Sequence, residues 1–470
     1  MTCNPDNLNG PAQHQYEIML RILDDKYLAI KRRKQTDENS EKVLMPLSIN
    51  PLESIYLLKN TNQIITCLDV SYCALTDTPK NLKLPHLKHL NLSHNKFTTI
   101  PEFFYNGLNH LEYLDLSFNL ISSFDATPNC VAKLQSLNLD NNKFVNVPSW
   151  FLNFVCRNLA KLSYCDNKST NFKFLDHCCN FFTMKLEKLE LRNACLIDTD
   201  FKWIKLIKNL NYLDISNKSL DCDRKYKNKF KDVDKLFQKT RCRNLQVLKM
   251  NFLDLVLCPE GLFWIESLKE LHITNNFLSW FPEEGIEYLV NLEFLDVSCN
   301  DLVALPEKIN ELTNLKTIIA YKNRIEFITS LPNSLECLDL YDNNLEDFEN
   351  DLVNDIYLVD FDYNHVDVLE KDFDYKLYSE KRRDLRLQFH YQNRGEDGIK
   401  IVEIHPDRES KLSDREEESE EIAKEMAECD KGYDSEDATW VGEESWDSVD
   451  KEVKYNVYVD LEEYLYVDAD

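Results

Sequence analysis

The chain has 470 residues, a mass of 55.5 kDa and a formal net charge of −27, and 43% of its residues are hydrophobic. This composition supports a sizeable core and excludes collagen-like and wholly disordered proteins. With 8 glycines and neither a GxGxxG nor a Walker-type sequence, it lacks the usual phosphate-binding loops. The longest uncharged stretch, residues 144–156, is too short to span a bilayer, and the first residues do not resemble a secretory signal.

The N-terminal segment predicts a capping element. Residues 14–32 place Ile18, Ile22 and Ile30 at helical spacing, so we expect an amphipathic helix that covers one end of the fold, with a partner-binding helix as the alternative. Residues 31–34 read KRRK, which is either a solvated helix end or a nuclear-import cluster. Residues 1–43 are therefore predicted to form a capping helix and linker.

A repeated apolar pattern occupies residues 65 to about 370. Thirteen copies place apolar residues at the first, fourth and sixth positions and usually asparagine at the ninth, as in LKHLNLSHNKF from residue 87 and LEFLDVSCNDL from residue 292. Leu90 and Leu92 are two residues apart, so both point to the same side of a strand. The pattern LxxLxLxxNxL resembles leucine-rich repeats. The resemblance implies an α/β solenoid, a curved parallel-sheet horseshoe of about 13 repeats, over residues 44–394.

The outer segments of the repeats indicate which class of leucine-rich repeats the chain resembles. Phe97-x-x-Ile100-Pro101 and Leu302-x-x-Leu305-Pro306 are similar to the roughly 23-residue class of cytoplasmic signalling scaffolds, such as those that bind Ras. Cysteine-rich caps typical of secreted members are not found in the sequence. The resemblance therefore implies an intracellular protein.

The ninth-position asparagines predict an internal ladder. Their side-chain amides can bond the turn backbone that leaves the sheet, where strand partners are missing. The predicted ladder residues are Asn95, Asn119, Asn142, Asn167, Asn276, Asn300, Asn323, Asn343 and Asn364. Ala194, Lys218 and Leu253 do not fit this position, so these repeats are expected to be irregular.

A 35-residue spacing between Leu210 and Leu245 indicates an insertion, assigned to residues 221–243. It carries nine lysines and arginines against four aspartates, with aromatic residues between them. Three interpretations stay open: a solvated helical loop, a docking site for the chain's own acidic tail or an acidic partner, and nucleic-acid contact. The negative net charge makes nucleic acid the least favoured.

The C-terminal region predicts a closing strand and then a tail. Leu385, Leu387 and Phe389 alternate, which is typical of a strand. Residues 396–470 contain 27 acidic and 8 basic residues, so residues 395–470 are predicted to be an acidic, largely disordered tail.

The exposed positions of the predicted strands should form the concave face. Aromatic residues favour interface hot spots, and carboxylates there would steer a basic ligand. Aspartate is also common filler at the fifth position of this family, and aromatics recur by chance. The residues assigned to a partner are His89, Tyr113, Asp115, Phe118, Tyr212, Asp214, Phe252, Phe294, Asp296, Tyr321, Asp339 and Tyr341.

These features predict a non-enzymatic scaffold or adaptor in the cytoplasm that binds a protein partner on the concave face, with a role in intracellular signalling. We expect no catalytic residue, cofactor or metal site. The alternative is a nuclear, acidic-tailed chaperone of basic proteins such as histones, which would bind through the tail. We expect no membrane span.

Overall fold

The computed structural model describes residues 41–44, 65–78, 84–124, 126–148, 150, 156–167, 172, 185–219, 227–237, 244–282, 284–328, 330–346, 355–365, 374–391 and 394. The predicted N-terminal helix, the KRRK cluster and the acidic tail lie outside the described residues.

The described strands form one parallel sheet in which each strand pairs with the next along the chain. Fourteen strands are described, one more than the thirteen repeats, because β1 lies ahead of the first repeat and begins three residues before the predicted boundary at residue 44. The strands are β1 Glu41–Leu44, β2 Ile65–Asp69, β3 His89–Asn91, β4 Tyr113–Asp115, β5 Ser136–Asn138, β6 Lys161–Ser163, β7 Lys188–Glu190, β8 Tyr212–Asp214, β9 Val247–Lys249, β10 Glu270–His272, β11 Phe294–Asp296, β12 Thr317–Ile319, β13 Cys337–Asp339 and β14 Leu358–Asp360.

The register of the sheet follows the repeat. Equivalent leucines face each other across strands, as Leu90 does with Leu114, so every fourth and sixth position points into the core. One continuous hydrophobic cluster runs from Leu68 to Tyr378. The predicted leucine-rich repeat solenoid is therefore confirmed.

Short helical turns form the outer layer, because each outer segment must cross only one strand spacing before the next repeat begins. The α-helical turns are α1 Phe103–Asn106, α2 Phe201–Ile204 and α3 Asp234–Phe237, and the longer α4 covers Tyr375–Gln388. The 3₁₀ turns are Asn129–Ala132, Asp198–Asp200, Glu260–Trp264, Ile286–Tyr288 and Glu307–Glu311.

The asparagine side chains link neighbouring turns. Asn119 Oδ1 accepts from the Phe97 amide at 3.1 Å, and its Nδ2 donates to the carbonyls of Leu92 at 2.9 Å and Leu116 at 3.0 Å. The structure places all nine predicted ladder asparagines in buried positions with bonds of this kind. Each amide thus supplies the partners that the backbone loses where it leaves the strand.

The irregular repeat from Leu210 recovers its ladder residue from the predicted insertion. The ninth position is Lys218, but Asn228 takes the role: its Oδ1 accepts from the amides of Ala194 and Leu196, both at 3.0 Å. Its Nδ2 donates to the carbonyls of Leu191 and Ile215, both at 2.8 Å. The chain therefore returns to the repeat at Asn228.

The insertion predicted over residues 221–243 is consequently too long. Residues 227–237 belong to the repeat, since Val233, Leu236 and Phe237 are buried in the core and Phe230 packs against it. The extra length lies between Lys218 and Asn228. Lys229, Lys231 and Lys235 stay exposed on the outer side of this repeat.

The C-terminal segment is a helix and not the predicted closing strand. Asp374 caps α4 by accepting from the Leu377 amide at 3.0 Å. Tyr378, Arg382 and Leu385 are spaced by three or four residues, so they share the helix face that contacts the last repeat. A strand would place Leu385 and Leu387 on the same face. On the helix, however, Leu385 is buried and Leu387 is exposed.

We expect Asn228→Ala to lower the free energy of unfolding by about 3 kcal/mol or more, because it leaves several buried backbone groups without partners. Urea unfolding monitored by circular dichroism measures the change. The exposed neighbour variant Lys229→Ala is the control and should change stability by less than about 0.5 kcal/mol. Equal effects of the two variants would show that Asn228 does not act in the ladder.

Candidate interaction surface on the sheet

The fifth-position carboxylates bind the chain's own backbone. Asp115 Oδ1 accepts from the amide and hydroxyl of Ser117 at 2.8 and 2.6 Å. Asp69 and Asp296 make the same pair of bonds to the serine two residues later. These aspartates therefore hold the backbone at the strand ends.

The centre of the sheet is electrically balanced. Arg192 Nε lies 3.5 Å from Asp214 Oδ2, and Lys188 Nζ lies 3.1 Å from Glu190 Oε1. Lys188 also sits 4.4 Å from the Tyr212 ring centre. Burial raises the pKa of Asp214, while Ser216 and Arg192 favour its charged form. Asp214 is buried, so it is not presented to a partner.

One central cluster resembles a nucleophilic site in its residue types. The amide of Cys165 donates to Asp140 Oδ1 at 2.6 Å, and the Ser163 hydroxyl donates to the same carboxylate at 2.8 Å. Burial, and next the charge of Asp140, raises the pKa of the Cys165 thiol to about 12. A raised pKa disfavours the thiolate, which is the nucleophilic form of cysteine.

The C-terminal part of the sheet is covered by the chain itself. Arg386 donates to Asp360 Oδ2 at 2.8 Å and to Asp362 Oδ2 at 2.6 Å, and Arg382 donates to the same Asp362 oxygen at 2.6 Å. Arg394 donates to Asp339 Oδ1 at 2.9 Å. Three arginines thus neutralise three buried carboxylates.

Apolar contacts accompany these ion pairs. Leu385 packs on Ile319, Cys337 and Leu358, which face out of the sheet. Partly buried aromatic residues complete this cluster: Phe294, Tyr321, Phe389 and Tyr391. The residues predicted to meet a partner at this end meet the chain's own C-terminal segment.

The sequence predicts that Asp339 binds a partner, but this prediction is wrong: Asp339 is 0% exposed and paired with Arg394. Burial raises its pKa to about 6, against the influence of the Arg394 guanidinium. Tyr321 and Tyr341 likewise contact the Arg394 guanidinium, at 4.8 and 4.3 Å from their ring centres.

We expect Arg386→Ala to lower the free energy of unfolding by about 2–3 kcal/mol, because the buried Asp360 would keep only Arg394 and the buried Asp362 only Arg382 as a cationic partner. Thermal and urea unfolding measure the loss. Arg383→Ala is the matched control on the same helix, since Arg383 is exposed and contacts only Asp384 among the described residues. A control variant as unstable as Arg386→Ala would contradict the assignment.

The raised pKa of Asp339 predicts a pH dependence with a defined sign. The folded state holds this proton below about pH 6, whereas the unfolded carboxyl loses it near 3.8. The stability contribution of Asp339 should therefore fall as pH rises from about 4 to 6. The stability difference between wild type and Asp339→Asn, measured by urea unfolding across this range, should decrease with pH. An increase would mean that the ion pair with Arg394 outweighs burial.

Aromatic rings stay open at the N-terminal end of the sheet. Tyr72, His94 and Phe118 form a stack with ring centres 4.0 and 4.1 Å apart and planes within 10° of parallel. His89 and Tyr113 form a second stack with centres 4.3 Å apart. Tyr72, Phe118 and Tyr113 are 56%, 46% and 38% exposed. We call these five residues the aromatic patch.

The stacks follow from the repeat geometry. Tyr72, His94 and Phe118 are eighth-position residues with φ between 53° and 56°, in the left-handed region, and nine further repeats share this conformation. Side chains in equivalent positions project in parallel at the strand spacing of about 4.8 Å, which suits ring stacking. Stacking of about 0.5–1.5 kcal/mol per pair offsets part of the left-handed backbone cost.

The structure thus divides the predicted partner residues. Three of them belong to the aromatic patch: His89 and Tyr113 stack on each other, Phe118 lies in the other stack, and Asp115, on the same repeat as Tyr113 and Phe118, is half-buried. Tyr212 and Asp214 lie in the balanced centre. Those near or under the C-terminal segment are Phe294, Asp296, Tyr321, Asp339 and Tyr341, and Phe252 is a half-buried eighth-position residue between these groups.

No described helix is long and apolar enough to cross a bilayer. Nor do His, Cys, Asp or Glu side chains of the described ranges gather in a group that could hold a metal ion.

Comparisons with known proteins identify the repeat. The leucine-rich repeat family model matches residues 85–144. Adenylate cyclase of Schizosaccharomyces pombe is 35% identical over 136 residues, which span 27% of this chain and 8% of the enzyme. Toll-like receptor 2 type-2 of Gallus gallus is 28% identical over 222 residues, 40% of this chain and 28% of the receptor. The matched segments thus span under a third of either relative.

A solved leucine-rich repeat protein of Leptospira interrogans is 22% identical, with a TM-score of 0.48, and the alignment covers 71% of this chain and 79% of that one. The repeat pattern, the parallel sheet with its buried asparagines and the family match at residues 85–144 show that the chain is a leucine-rich repeat protein.

Proposed function

We propose that the protein is a non-enzymatic scaffold that binds a protein partner through the aromatic patch. The leucine-rich repeat fold presents a rigid row of side chains suited to protein binding. The observation that carries the proposal is the exposure of Tyr72, Tyr113 and Phe118, which lie on the first and third repeats and stack on the histidines of the repeat between them. Clustered exposed aromatics mark interaction sites, and tyrosine is enriched among hot-spot residues.

The stacked geometry favours a particular kind of contact. Rings that lie face to face cover each other's faces and present mainly their edges and the outer faces of the end rings. Such edges suit apolar groups and carbonyl oxygens of a partner better than cations. Support for a basic partner is confined to the half-buried Asp69 and Asp115 next to the patch.

The experiment compares partner recovery by tagged wild type and by the double variant Tyr113→Ala/Phe118→Ala, quantified by proximity labelling. We expect at least about a tenfold loss of specific partners, since each hot spot contributes about 2 kcal/mol. Tyr357→Ala is the control, because Tyr357 is 71% exposed on the last repeat. Unchanged recovery by a folded double variant would refute the proposal.

Deletion of residues 396–470 separates this function from the chaperone alternative. A scaffold that uses the aromatic patch should keep its partners, whereas a chaperone that uses tail charge should lose histone binding, and that binding should weaken steeply with salt. A signalling role in the cytoplasm remains a prediction from the resemblance to the roughly 23-residue repeat class, and so does the similarity to the members of that class that bind Ras.

A further inference from the structure

At the opposite end of the sheet from the aromatic patch, aromatic rings enclose an arginine side chain. The guanidinium of Arg394 sits among three tyrosine rings, with its central carbon 3.9 Å from the ring centre of Tyr391, 4.3 Å from that of Tyr341 and 4.8 Å from that of Tyr321. We call these three residues the tyrosine box. Their rings come from repeats on β12 and β13 and from the segment after α4.

The floor of the box is acidic. Arg394 Nη1 donates to Asp339 Oδ1 at 2.9 Å and to Asp360 Oδ2 at 3.0 Å. Stacking of a planar cation on aromatic rings is the geometry that distinguishes arginine from lysine, while Nη1 alone makes both bonds to the carboxylates. Aromatic walls with carboxylates behind them therefore define a site for a guanidinium group.

Arg394 uses this site incompletely. Asp339 Oδ2 and Arg394 Nη2 are both buried and have no hydrogen-bond partner among the described residues. A guanidinium placed from another direction could donate to both oxygens of Asp339, since this group forms bidentate pairs with carboxylates. The carboxylates of the box can thus accept more hydrogen bonds than Arg394 donates to them.

Among the described residues, the backbone of Arg394 makes only long hydrogen bonds. Its amide donates to the Tyr391 carbonyl at 3.5 Å, and Arg386 Nη1 reaches its carbonyl at 3.5 Å, both at the limit for a hydrogen bond. Arg382 and Arg386, by contrast, are fixed on α4. Tyr391 keeps its place independently, because its amide donates to the Arg386 carbonyl at 2.9 Å.

We propose that the tyrosine box, with Asp339 and Asp360, is a guanidinium-binding site that Arg394 occupies in cis and that an arginine side chain of a partner protein can enter in its place. As a tethered ligand Arg394 has an effective concentration of roughly millimolar, so an isolated arginine competes poorly. A partner that also contacts the neighbouring surface can overcome this competition. The box thereby works as a self-blocked recognition site.

The test uses the full chain with Arg394→Ala and titrates N-acetyl-arginine amide, with N-acetyl-lysine amide as the charge-matched probe, by calorimetry and thermal shift. We expect the variant to bind the arginine probe at least about tenfold more tightly than wild type and to prefer it to the lysine probe. Arg383→Ala, on the exposed side of α4, should behave like wild type.

A folded Arg394→Ala protein that does not bind the arginine probe would overturn the proposal, and so would equal binding of both probes. If Arg394→Ala does not fold, Arg394→Lys keeps a cation in the box and is titrated in the same way; tighter arginine binding than in wild type supports the site, and unchanged binding contradicts it. The site lies on β12–β14 and the aromatic patch on β2–β4, so neither test depends on the other.

Discussion

The structure depends on satisfying the backbone where each repeat leaves the sheet. Most strands have only three residues, and the turn that follows each strand packs between the turns of its neighbours. The asparagine amide answers this constraint because it offers two donors and an acceptor within one short side chain. Once that turn is fixed, the eighth residue is held in the left-handed region and every exposed side chain of the strand has a set direction.

The order of side chains along the sheet then determines what is free to bind. At the C-terminal end, on β12–β14, carboxylates and tyrosines contact α4 and the residues after it, so the chain itself covers this part of the surface. In the centre, lysine and arginine alternate with acids and neutralise them. In the N-terminal repeats the aromatic residues are preceded by small serines, and the rings are exposed.

Periodic features were accessible from the sequence. The strands, the core leucines and nine ladder asparagines all follow from one spacing, since each repeat sees the same environment. The repeat spacing did not predict the role of Asn228, because the insertion moves the ladder asparagine by ten positions, from 218 to 228. The triplet Asn-Lys-Phe at 228–230 nevertheless also occurs at residues 95–97 and 142–144. A search for the triplet, independent of spacing, would have found it.

Pairing between distant segments was not accessible. Asp339 reads as one more fifth-position acid, and only folding shows that Arg394, 55 residues later, neutralises it. The short run Leu385–Phe389 fits a strand by alternation, and the helical spacing of Tyr378, Arg382 and Leu385 becomes decisive only with the last repeat beside it. The sequence therefore shows which charged residues are present, but only the tertiary contacts show which of these charges are exposed to a partner.

Our central claim is that the two ends of the same sheet differ in accessibility, and hydroxyl-radical footprinting of the intact protein measures this directly. Oxidation should be fast at Tyr72, Tyr113 and Phe118 and much slower at Tyr321, Tyr341 and Tyr378. Similar rates at both groups, or protection of the N-terminal rings alone, would contradict it.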